Sequence, residues 1–427
     1  MTAPGWTGRQ LPLVVGSVAH GGHCVARFEG RVVFVRHALP GEHVLARVTE
    51  DRGGSYCRAD AVEIVQAAPD RVEPPCPLAR PGRCGGCDWQ HASGPAQRDL
   101  KASVVREQLA RLGGHPDVAV AVEEVPGGLL GWRTRMHFAV TGDGIVGLHR
   151  HRSTEIEPVA SCPISAPAVD AVGVTRARWQ GAATVEVVAS TAGDRAVVVT
   201  PRPGAEVAVP PLEADSVAVL RRRSPAARAE RVRGHRAVRE RVLGATVRVA
   251  ADSFWQVHPA AADVLAGAVV DALQPRAGES ALDLYAGAGL FAVALAPHLR
   301  AGRLLAVEAD PVAAGDAAFN LRDTAAEVSV QTGSVERVLR RLPAGPVDLV
   351  ILDPPRAGAG AKVVSLVADR APRAVAYVAC DPAALARDVK TFADHGYRLE
   401  RIRAFDLFPM THHVECVALL QPLLAPA

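Results

Sequence analysis

The carboxyl-terminal part of the chain predicts an α/β domain with a doubly wound, mainly parallel sheet. From about residue 260, apolar strands alternate with helical segments, a pattern typical of βαβ units. A second observation is the stretch 281–291, in which Gly287 and Gly289 follow an apolar strand and precede an apolar helical pattern. Glycines before a helix N-terminus let a ligand approach free backbone N–H groups, so this loop predicts a nucleotide cradle. Strands are expected near 280–285, 303–308, 327–331, 347–353, 373–379, 397–407 and 413–421.

The acids near the loop bear on which nucleotide it binds. Glu308 is expected at the end of the next strand, where a carboxylate is suited to ribose hydroxyls. The pattern Gly287-x-Gly289-x-x-Ala292 matches a dinucleotide fingerprint, whereas Asp283 within the first strand favours S-adenosylmethionine. The loop alone leaves both cofactors open.

Residues 1–66 predict a small β-barrel of the OB type. Four β-rich segments, near 11–18, 31–36, 43–48 and 59–65, are separated by glycine-containing turns. The stretch from Gly21-Gly22 to Pro40-Gly41-Glu42 resembles a TRAM domain, which is an RNA-binding barrel. A structural barrel without a ligand is the alternative.

Residues 67–259 predict a β-rich central domain that begins with a cluster of cysteines. Cys76, Cys84 and Cys87 lie within twelve residues, and Cys162 is the natural candidate for a fourth ligand. Three thiols so close together in a long chain indicate a metal site rather than disulfides. The spacing leaves zinc and an iron–sulfur cluster both open.

Other segments of the central domain have a clear pattern. Apolar residues at a helical period predict a helix over 97–112, which we expect to pack on the C-terminal domain. Two hairpins are expected, at 133–150 and 184–200. Between Arg221 and Arg241 lie nine arginines and two glutamates, which predict either a phosphate-contacting patch or a solvated loop.

Composition limits the class of protein. The 427 residues carry a formal net charge of only +3, which excludes a general polycation. No basic segment followed by an apolar one begins the chain, and no apolar run is long enough for a membrane span. We therefore expect a cytoplasmic protein that does not bind a membrane. Its length predicts about three domains, and we expect it to act as a monomer.

Two further strand ends carry reactive side chains. Asp353 ends an apolar strand in the motif Asp353-Pro354-Pro355-Arg356, on the side of the sheet where ligands bind. Cys380 follows the next strand and precedes Asp381-Pro382, a good helix start. A thiol at a helix N-terminus is expected to have a lowered pKa, which Asp381 would oppose in part.

These motifs resemble those of the uracil-5 RNA methyltransferase family, which makes 5-methyluridine in tRNA and ribosomal RNA. The resemblance covers nearly the whole chain and implies a Rossmann-like class I methyltransferase domain over 260–427. Its most specific parts are Asp353-Pro354-Pro355-Arg356-x-Gly358, Tyr377-Val378-Ala379-Cys380 and Phe408-Pro409-x-Thr411-x-His413-Val414-Glu415. The chain departs from the family at Asp381, where an asparagine is usual, at Ala384, where a threonine is usual, at Met410, where a polar residue is usual, and in its longer spacing between the first two cysteines.

The resemblance implies roles for individual residues. Cys380 would be the nucleophile and Glu415 the base. The residues that would contact S-adenosylmethionine, together with Gly287 of the cradle, are Gln256, Tyr285, Glu308 and Asp353. A 4Fe–4S cluster would be held by Cys76, Cys84, Cys87 and Cys162. The RNA partner would be tRNA or 23S rRNA.

Two other functions remain to be weighed against this one. An NAD-dependent enzyme could use the same glycine-rich loop, and a non-catalytic RNA-binding protein could retain the same fold. Neither gives a role to Cys380 and Glu415, which together suit covalent catalysis at a pyrimidine carbon.

Overall fold

The N-terminal strands form the expected small barrel. The computed structural model describes residues 5–212, 217–221 and 228–423. Its first sheet contains β1 (Gln10–Val14), β2 (Cys24–Phe28), β3 (Arg31–Arg36), β4 (His43–Glu50) and β5 (Tyr56–Gln66), in the order β1-β4-β5-β3-β2. Gly16 N–H donates to Val25 O at 2.7 Å and Val25 N–H donates to Ser17 O at 2.8 Å, which closes the sheet. Alternate residues such as Leu11 and Leu13 fill the interior.

The central part of the chain contains a second sheet. A helix, α1 (Gly94–Gln108), continues into a π-helical turn (Leu109–Gly113) and is followed by the short strand β6 (Val122–Glu123). The sheet has the order β13-β12-β11-β10-β7-β8-β9 and contains both expected hairpins, β7-β8 and β10-β11. Its strands are β7 (Arg135–Val140), β8 (Val146–His149), β9 (Ile156–Pro158), β10 (Ala182–Ala189), β11 (Arg195–Pro201), β12 (Val217–Arg221) and β13 (Glu230–Arg233). The short helix α2 (Pro167–Asp170) lies between β9 and β10, and β14 (Ala237–Val242) forms a separate hairpin with β15 (Ala245–Ala250).

The C-terminal part alternates strands and helices as predicted. Its elements are α3 (Ala261–Leu273), β16 (Ser280–Leu284), α4 (Leu290–Leu295), β17 (Arg303–Glu308), α5 (Pro311–Asn320), β18 (Glu327–Thr332), α6 (Val335–Arg341), β19 (Leu349–Leu352), α7 (Gly360–Ala368), β20 (Ala374–Ala379), α8 (Pro382–Asp394), β21 (Tyr397–Phe405) and β22 (Glu415–Pro422). Every residue of β19 and β20 is buried, as is typical of a parallel sheet covered by helices on both faces.

One strand of this sheet, β22, is antiparallel to the others. The order is β18-β17-β16-β19-β20-β22-β21-β6, and β22 is antiparallel to both of its neighbours, β20 and β21. Strand–helix alternation predicts parallel pairing, so the direction of β22 is not visible in that pattern. Its insertion places the start of β22 beside the end of β20.

Helix α1 packs on the C-terminal sheet although it precedes that sheet by more than one hundred residues. Val105 and Leu109 share an apolar core with Leu385 of α8. Strand β6 extends the sheet beside β21, with Val122 opposite Ala404. The central part of the chain therefore contributes a helix and an edge strand to the C-terminal unit.

A membrane-spanning helix is not found in the described ranges. None of the helices there combines enough length with enough apolar character to cross a bilayer.

Candidate active site

Cys380 and Glu415 come together because of the direction of β22. Cys380 follows the last residue of β20, and Glu415 is the first residue of β22. Since the two strands are antiparallel, with Ala379 opposite Cys416, the residue that leaves one strand lies beside the residue that enters the other. Both lie at the edge where the parallel strands end, which is the ligand-binding edge of such sheets.

The environment of Cys380 favours its neutral thiol. Loss of hydration, followed by the charges of Glu415 and Asp353, raises the pKa of Cys380 to about 11, and Arg356 acts in the opposite direction. The expected lowering of this pKa is therefore wrong. The helix N-terminus favours the thiolate, but burial and the acids that the fold brings across the crevice outweigh it.

The two acids are also perturbed. Glu415 is only 4 % exposed, and loss of hydration raises its pKa well above the ordinary value, with a further contribution from Asp353. Loss of hydration and the charge of Asp283 raise the pKa of Asp353 to about 7. Arg356 is the cation that lowers the pKa of both Glu415 and Cys380. The crevice thus holds a thiol and two carboxyls whose ionisations are linked.

Side chains of α1 hold the segment that leads to Glu415. Lys101 Nζ donates to Asp406 Oδ1 at 2.5 Å and to Phe408 O at 2.9 Å. The N–H of Met410 donates to Gln97 Oε1 at 2.7 Å. The contacts with Asp406 and Gln97 are buried, so they fix the approach of the chain to the crevice.

The turn before α1 adds a second attachment. The N–H of His412 donates to Asp88 Oδ2 at 3.2 Å, and the ring Nδ1 of His412 lies 2.6 Å from the same oxygen. The N–H of Asp88 donates to Met410 O at 3.0 Å. Arg36 of β3 reaches Asp88 Oδ1 at 3.3 Å. The barrel, the central part and the 406–415 segment therefore meet at Asp88.

Asp388 of α8 fixes the loop that follows β19. Its Oδ2 accepts from the N–H of Ala359 at 2.7 Å and from the hydroxyl of Tyr377 at 2.5 Å, and its Oδ1 accepts from Gly360 N–H at 3.2 Å. Gly358 has a φ of +88°, and a Cβ there would come within 2.7 Å of Asp388 Oδ2. Only glycine allows this close approach.

The glycine-rich loop lies between strand β16 and helix α4, as expected. The N–H of Gly287 donates to Glu308 Oε2 at 2.8 Å, and that of Asp310 donates to Glu308 Oε1 at 2.7 Å. Asp283 Oδ2 accepts from Ala292 N–H at 2.9 Å in the first turn of α4. Loss of hydration raises the pKa of Asp283 to about 7, and the charge of Glu308 adds to this rise. The hydrogen bond from Ala292 N–H acts in the opposite direction.

Two of the expected cofactor residues lie apart from this hydrogen-bonded group. Tyr285 follows β16 with a φ of +66°, an unusual backbone conformation for a bulky residue. Gln256 is buried in the segment between β15 and α3, and among the described residues no hydrogen bond joins it to the loop. Two residues before it, Phe254 is 78 % exposed, an uncommon position for an aromatic ring.

The four expected cysteine ligands line one cavity. Its volume is about 140 Å³, and its other lining residues include Arg133 and Gln90. Loss of hydration raises the pKa of Cys162 to about 11 and that of Cys87 to about 12, and neighbouring thiols contribute to both shifts. In residues 5–212, 217–221 and 228–423, no three His, Cys, Asp or Glu side chains are grouped tightly enough for a single metal ion.

A second, larger cleft has an excess of arginine. Its volume is about 930 Å³, and it lies between β11, the β14-β15 hairpin and α5. Its charged lining residues are Arg195, Arg228, Arg233, Arg236, Arg239, Arg248, Asp194 and Asp316. Asp194 is paired with Arg239 at 2.7 Å and Asp316 with Arg248 at 2.7 Å. Part of the arginine-rich segment thus forms a cleft wall, while Arg222 and Arg223 lie outside the described residues.

The residues that support the site were not predicted from the sequence. Lys101 could have been found as a lysine on the apolar side of the predicted helix, because an unpaired buried lysine is costly and implies a carboxylate partner. Asp388 lies among apolar residues of α8 in the same way. For Asp88 and Gln97 we find no signal in the sequence that would have indicated their contacts.

Comparisons with known proteins agree with the geometry. The family model for tRNA (uracil-5-)-methyltransferase matches residues 226–422, and the model for the TRAM domain matches residues 7–62. An "uncharacterized RNA methyltransferase" of Streptomyces avermitilis is 52% identical, over 97% of this chain and 99% of that protein. The 23S rRNA (uracil(1939)-C(5))-methyltransferase RlmD of Thiobacillus denitrificans is 32% identical, over 95% of this chain and 98% of that protein.

A solved structure has the same fold. The tRNA (uracil-54, C5)-methyltransferase of Pyrococcus abyssi, in complex with S-adenosyl-L-homocysteine, superposes with a TM-score of 0.73 at 24% identity, covering 96% of this chain and all of that one. Both curated relatives are named RNA methyltransferases, and both align with this chain over nearly their full length. This similarity argues against a dinucleotide-dependent enzyme and against a non-catalytic protein. The chain belongs to the uracil-5 RNA methyltransferase family.

Proposed function

We propose that this protein methylates carbon 5 of a uridine in ribosomal or transfer RNA through a covalent adduct between Cys380 and carbon 6 of the base. The observation that carries the proposal is the meeting of Cys380 with Glu415 at the ligand-binding edge of the sheet. A thiol alone is a common core residue, but a thiol beside a buried carboxyl in a crevice is a pair suited to addition and elimination.

The chemistry of uracil explains why both groups are needed. Carbon 5 is a poor nucleophile until a bond from Cys380 Sγ to carbon 6 turns the ring into an enolate. S-Adenosylmethionine would supply an electrophilic methyl group, and as carbon 5 attacks it the bond from that methyl to the sulfonium sulfur would break, with S-adenosylhomocysteine as the leaving group. Glu415 removes the remaining proton from carbon 5, and the bond between Sγ and carbon 6 breaks to release the product and the free thiolate. A carboxylate with a raised pKa is a stronger base once it is ionised, which fits this role for Glu415.

Ionisation of Cys380 must precede its attack. The raised pKa of Cys380 means that the thiol is neutral in the resting protein. Its proton goes to solvent, most easily while Glu415 and Asp353 are protonated, because their negative charges oppose the thiolate. Glu415 must then lose its own proton to solvent before it can act as the base on carbon 5. Arg356 favours the thiolate, so we assign it the role of stabilising the ionised nucleophile.

The methyl donor would bind along the glycine-rich loop. Glu308 lies at the end of β17, where its carboxylate suits ribose hydroxyls, and Gly287 leaves room for the ligand beside the loop. Tyr285 and Asp353 follow the two neighbouring strands and would border the same crevice. Gln256 would contact the donor from the segment before α3.

The cysteine cavity would hold a 4Fe–4S cluster. The donor set fits, since Cys76, Cys84, Cys87 and Cys162 line one cavity. Uracil methylation transfers no electron, so the cluster would order the surrounding loops.

RNA would be bound by more than the crevice. The TRAM barrel and the arginine-lined cleft are the two proposed phosphate-binding surfaces. A base inside an RNA fold is out of reach of a buried thiol, so the uridine would be flipped out, and the exposed ring of Phe254 is suited to stack on an unpaired base. We further propose the division of the chain at 66 and 259, and action as a cytoplasmic monomer.

The two catalytic roles can be separated on a denaturing gel. Cys380→Ala removes the nucleophile, so neither methylation nor a covalent complex is expected. Glu415→Gln keeps the nucleophile but not the base, so methylated RNA should remain bonded to Cys380 and migrate as a slow band with labelled RNA and S-adenosylmethionine. A covalent band from Cys380→Ala, or free product at the wild-type rate from Glu415→Gln, would overturn these assignments.

A further inference from the structure

A loop of the barrel reaches the catalytic crevice. His20 Nε2 lies 3.1 Å from Asp381 Oδ2, although His20 belongs to the segment between β1 and β2. The indole N–H of Trp89 donates to Gly22 O at 3.0 Å. A Cβ placed on Gly22 would lie 2.7 Å from the Cβ of His412, so the two segments are in direct contact. The barrel loop is therefore packed against the segment that carries Glu415.

The same loop lines the cavity in which Cys380 lies. The cavity has a volume of about 130 Å³. The barrel contributes His20, Gly21 and Gly22 to its wall, and the catalytic part contributes Cys380, Arg356 and His413. Under the proposed function this is the space next to the nucleophile that a flipped base would enter. One wall of it belongs to the barrel and not to the methyltransferase fold.

Asp381 connects the barrel to the nucleophile. Its Oδ1 accepts from the N–H of Ala384 at 2.8 Å and caps α8, while its Oδ2 faces His20. One peptide bond joins Asp381 to Cys380. Holding both oxygens of Asp381 therefore restrains the backbone that directs the sulfur of Cys380.

Several charges act on His20. The hydrogen bond to Asp381 raises its pKa, loss of hydration lowers it, and the net shift is upward. Its ring is thus more often protonated than that of a free histidine, and the ion pair is lost as pH rises through the raised pKa. Charged and titratable groups that surround it are Asp381, which caps α8, Arg387 of α8, Glu107 of α1, Arg356, His412 and His413.

We infer that His20 is a positioning residue for Cys380, acting through Asp381, and that the barrel loop around it forms one wall of the pocket for the target base. The inference rests on the proposed function, since it assigns a wall to the pocket in which that reaction would occur. It gives the barrel a part in the methyl-transfer step in addition to RNA binding.

A double-mutant cycle tests the inference. The variants are His20→Ala, Asp381→Asn and the two combined, assayed by single-turnover methylation of a uridine-containing RNA with saturating S-adenosylmethionine. We expect each single change to lower the rate of methyl transfer about tenfold, with the combined variant no slower than the slower single one. We expect the KM for RNA to change less than threefold. Multiplying effects, or an effect on KM alone, would overturn the positioning role.

The pH profile separates positioning from a general structural effect. In the wild type, the advantage over His20→Ala should shrink as pH rises, because the unprotonated ring loses the ion pair with Asp381 and keeps only a neutral hydrogen bond. His20→Gln keeps a neutral hydrogen-bond donor, so its rate should be intermediate, and its ratio to His20→Ala should not depend on pH. A constant ratio of wild type to His20→Ala across pH contradicts the inference.

A matched control is available on the same barrel. His43 is an exposed histidine of β4, so His43→Ala should leave the methyl-transfer rate unchanged. His20 has a side chain 41% exposed, and its replacement should be tolerated by the fold. If His20→Ala nevertheless fails to fold, His20→Gln carries the same test. Lack of methylation by the wild-type protein would contradict the proposed function itself. If the wild type is active but the effects of replacing His20 and Asp381 multiply, only this inference is contradicted.

Discussion

Lys101 and Asp406 form a buried ion pair between two distant parts of the chain. Nζ and Oδ1 are 2.5 Å apart, and the two side chains are 0% and 2% exposed. Loss of hydration lowers the pKa of Lys101, and the charge of Asp406 acts against that shift. The pair joins α1 to the segment that leads from β21 to Glu415, so the position of the base depends on a helix from the central part of the chain.

Removing the lysine should therefore be costly. Lys101→Met leaves Asp406 buried without its partner, and we expect a loss of about 3–5 kcal/mol in the free energy of unfolding. Urea denaturation at neutral pH measures it. The exposed Lys362 on α7 provides the control, for which Lys362→Met should change stability by less than about 0.5 kcal/mol.

The same experiment separates a broken pair from a lost contact. In the double variant Lys101→Met/Asp406→Leu no charge is left unpaired, so much of the stability should return. A double variant that is as unstable as Lys101→Met would show that packing of the lysine stem, rather than its charge, is responsible. A loss below about 1 kcal/mol for Lys101→Met would show that Asp406 is hydrated or neutral.

Two substitutions should change the rate of alkylation of Cys380 in opposite directions. The charge of Glu415 raises the pKa of Cys380 and that of Arg356 lowers it. Glu415→Gln should therefore speed alkylation of Cys380 at pH 8, and Arg356→Gln should slow it, by about tenfold for each unit of change in pKa. The readout is the rate of iodoacetamide labelling of the peptide that contains Cys380.

The pH dependence gives a further check on the same thiol. Because loss of hydration and the acids raise the pKa of Cys380 to about 11, its labelling rate in the wild type should keep rising with pH up to that region. Cys416, fully buried one residue after Glu415, should stay unlabelled in every variant. A plateau near pH 8 would show that the thiolate is favoured in the resting enzyme, which would contradict the raised pKa of Cys380.

Much of this site could be predicted from local sequence. The features that could not be predicted depend on the direction of strand β22 and on the burial of side chains. Cys380, Asp353 and Glu308 follow or end apolar strands, so the parallel sheet that strand–helix alternation predicts is enough to place them at one edge. The pairing of Cys380 with Glu415 could not be derived from alternation, because it requires β22 to enter the sheet antiparallel to β20. The predicted direction of the pKa of Cys380 is wrong mainly because the local sequence does not show how deeply the thiol is buried, and secondly because it does not show that Glu415 lies beside it.

Iron and sulfide should be present in protein purified without oxygen. We expect a brown protein with about four irons per chain and matching acid-labile sulfide. Cys84→Ser should lower the iron content, because Cys84 lines the cavity with the other three thiols. Cys57 lies in the barrel core away from that cavity, so Cys57→Ala should retain full iron content. Stoichiometric zinc without labile sulfide would contradict the cluster.

Salt dependence should reveal the contribution of the arginine-lined cleft to RNA binding. The cleft carries six arginines against two aspartates, an excess of four positive charges, whereas the whole chain has a net charge of only +3. Phosphate contacts release counterions, so each lost contact lowers the slope of log affinity against log salt by about 0.7–0.9. Arg233→Gln/Arg236→Gln should therefore reduce that slope by about 1.5, as measured by RNA binding between about 50 and 200 mM salt.

The control for the cleft removes two positive charges elsewhere. Arg300 and Arg341 are exposed on the C-terminal part of the chain and do not line the cleft. Arg300→Gln/Arg341→Gln gives the same change in net charge, so its slope should stay close to that of the wild type if contacts, rather than the overall field, determine binding. Binding of S-adenosylmethionine should be unchanged in both double variants. If the two double variants have equal slopes of log affinity against log salt, the cleft is a solvated surface, because the position of the removed arginines would then have no effect on RNA binding.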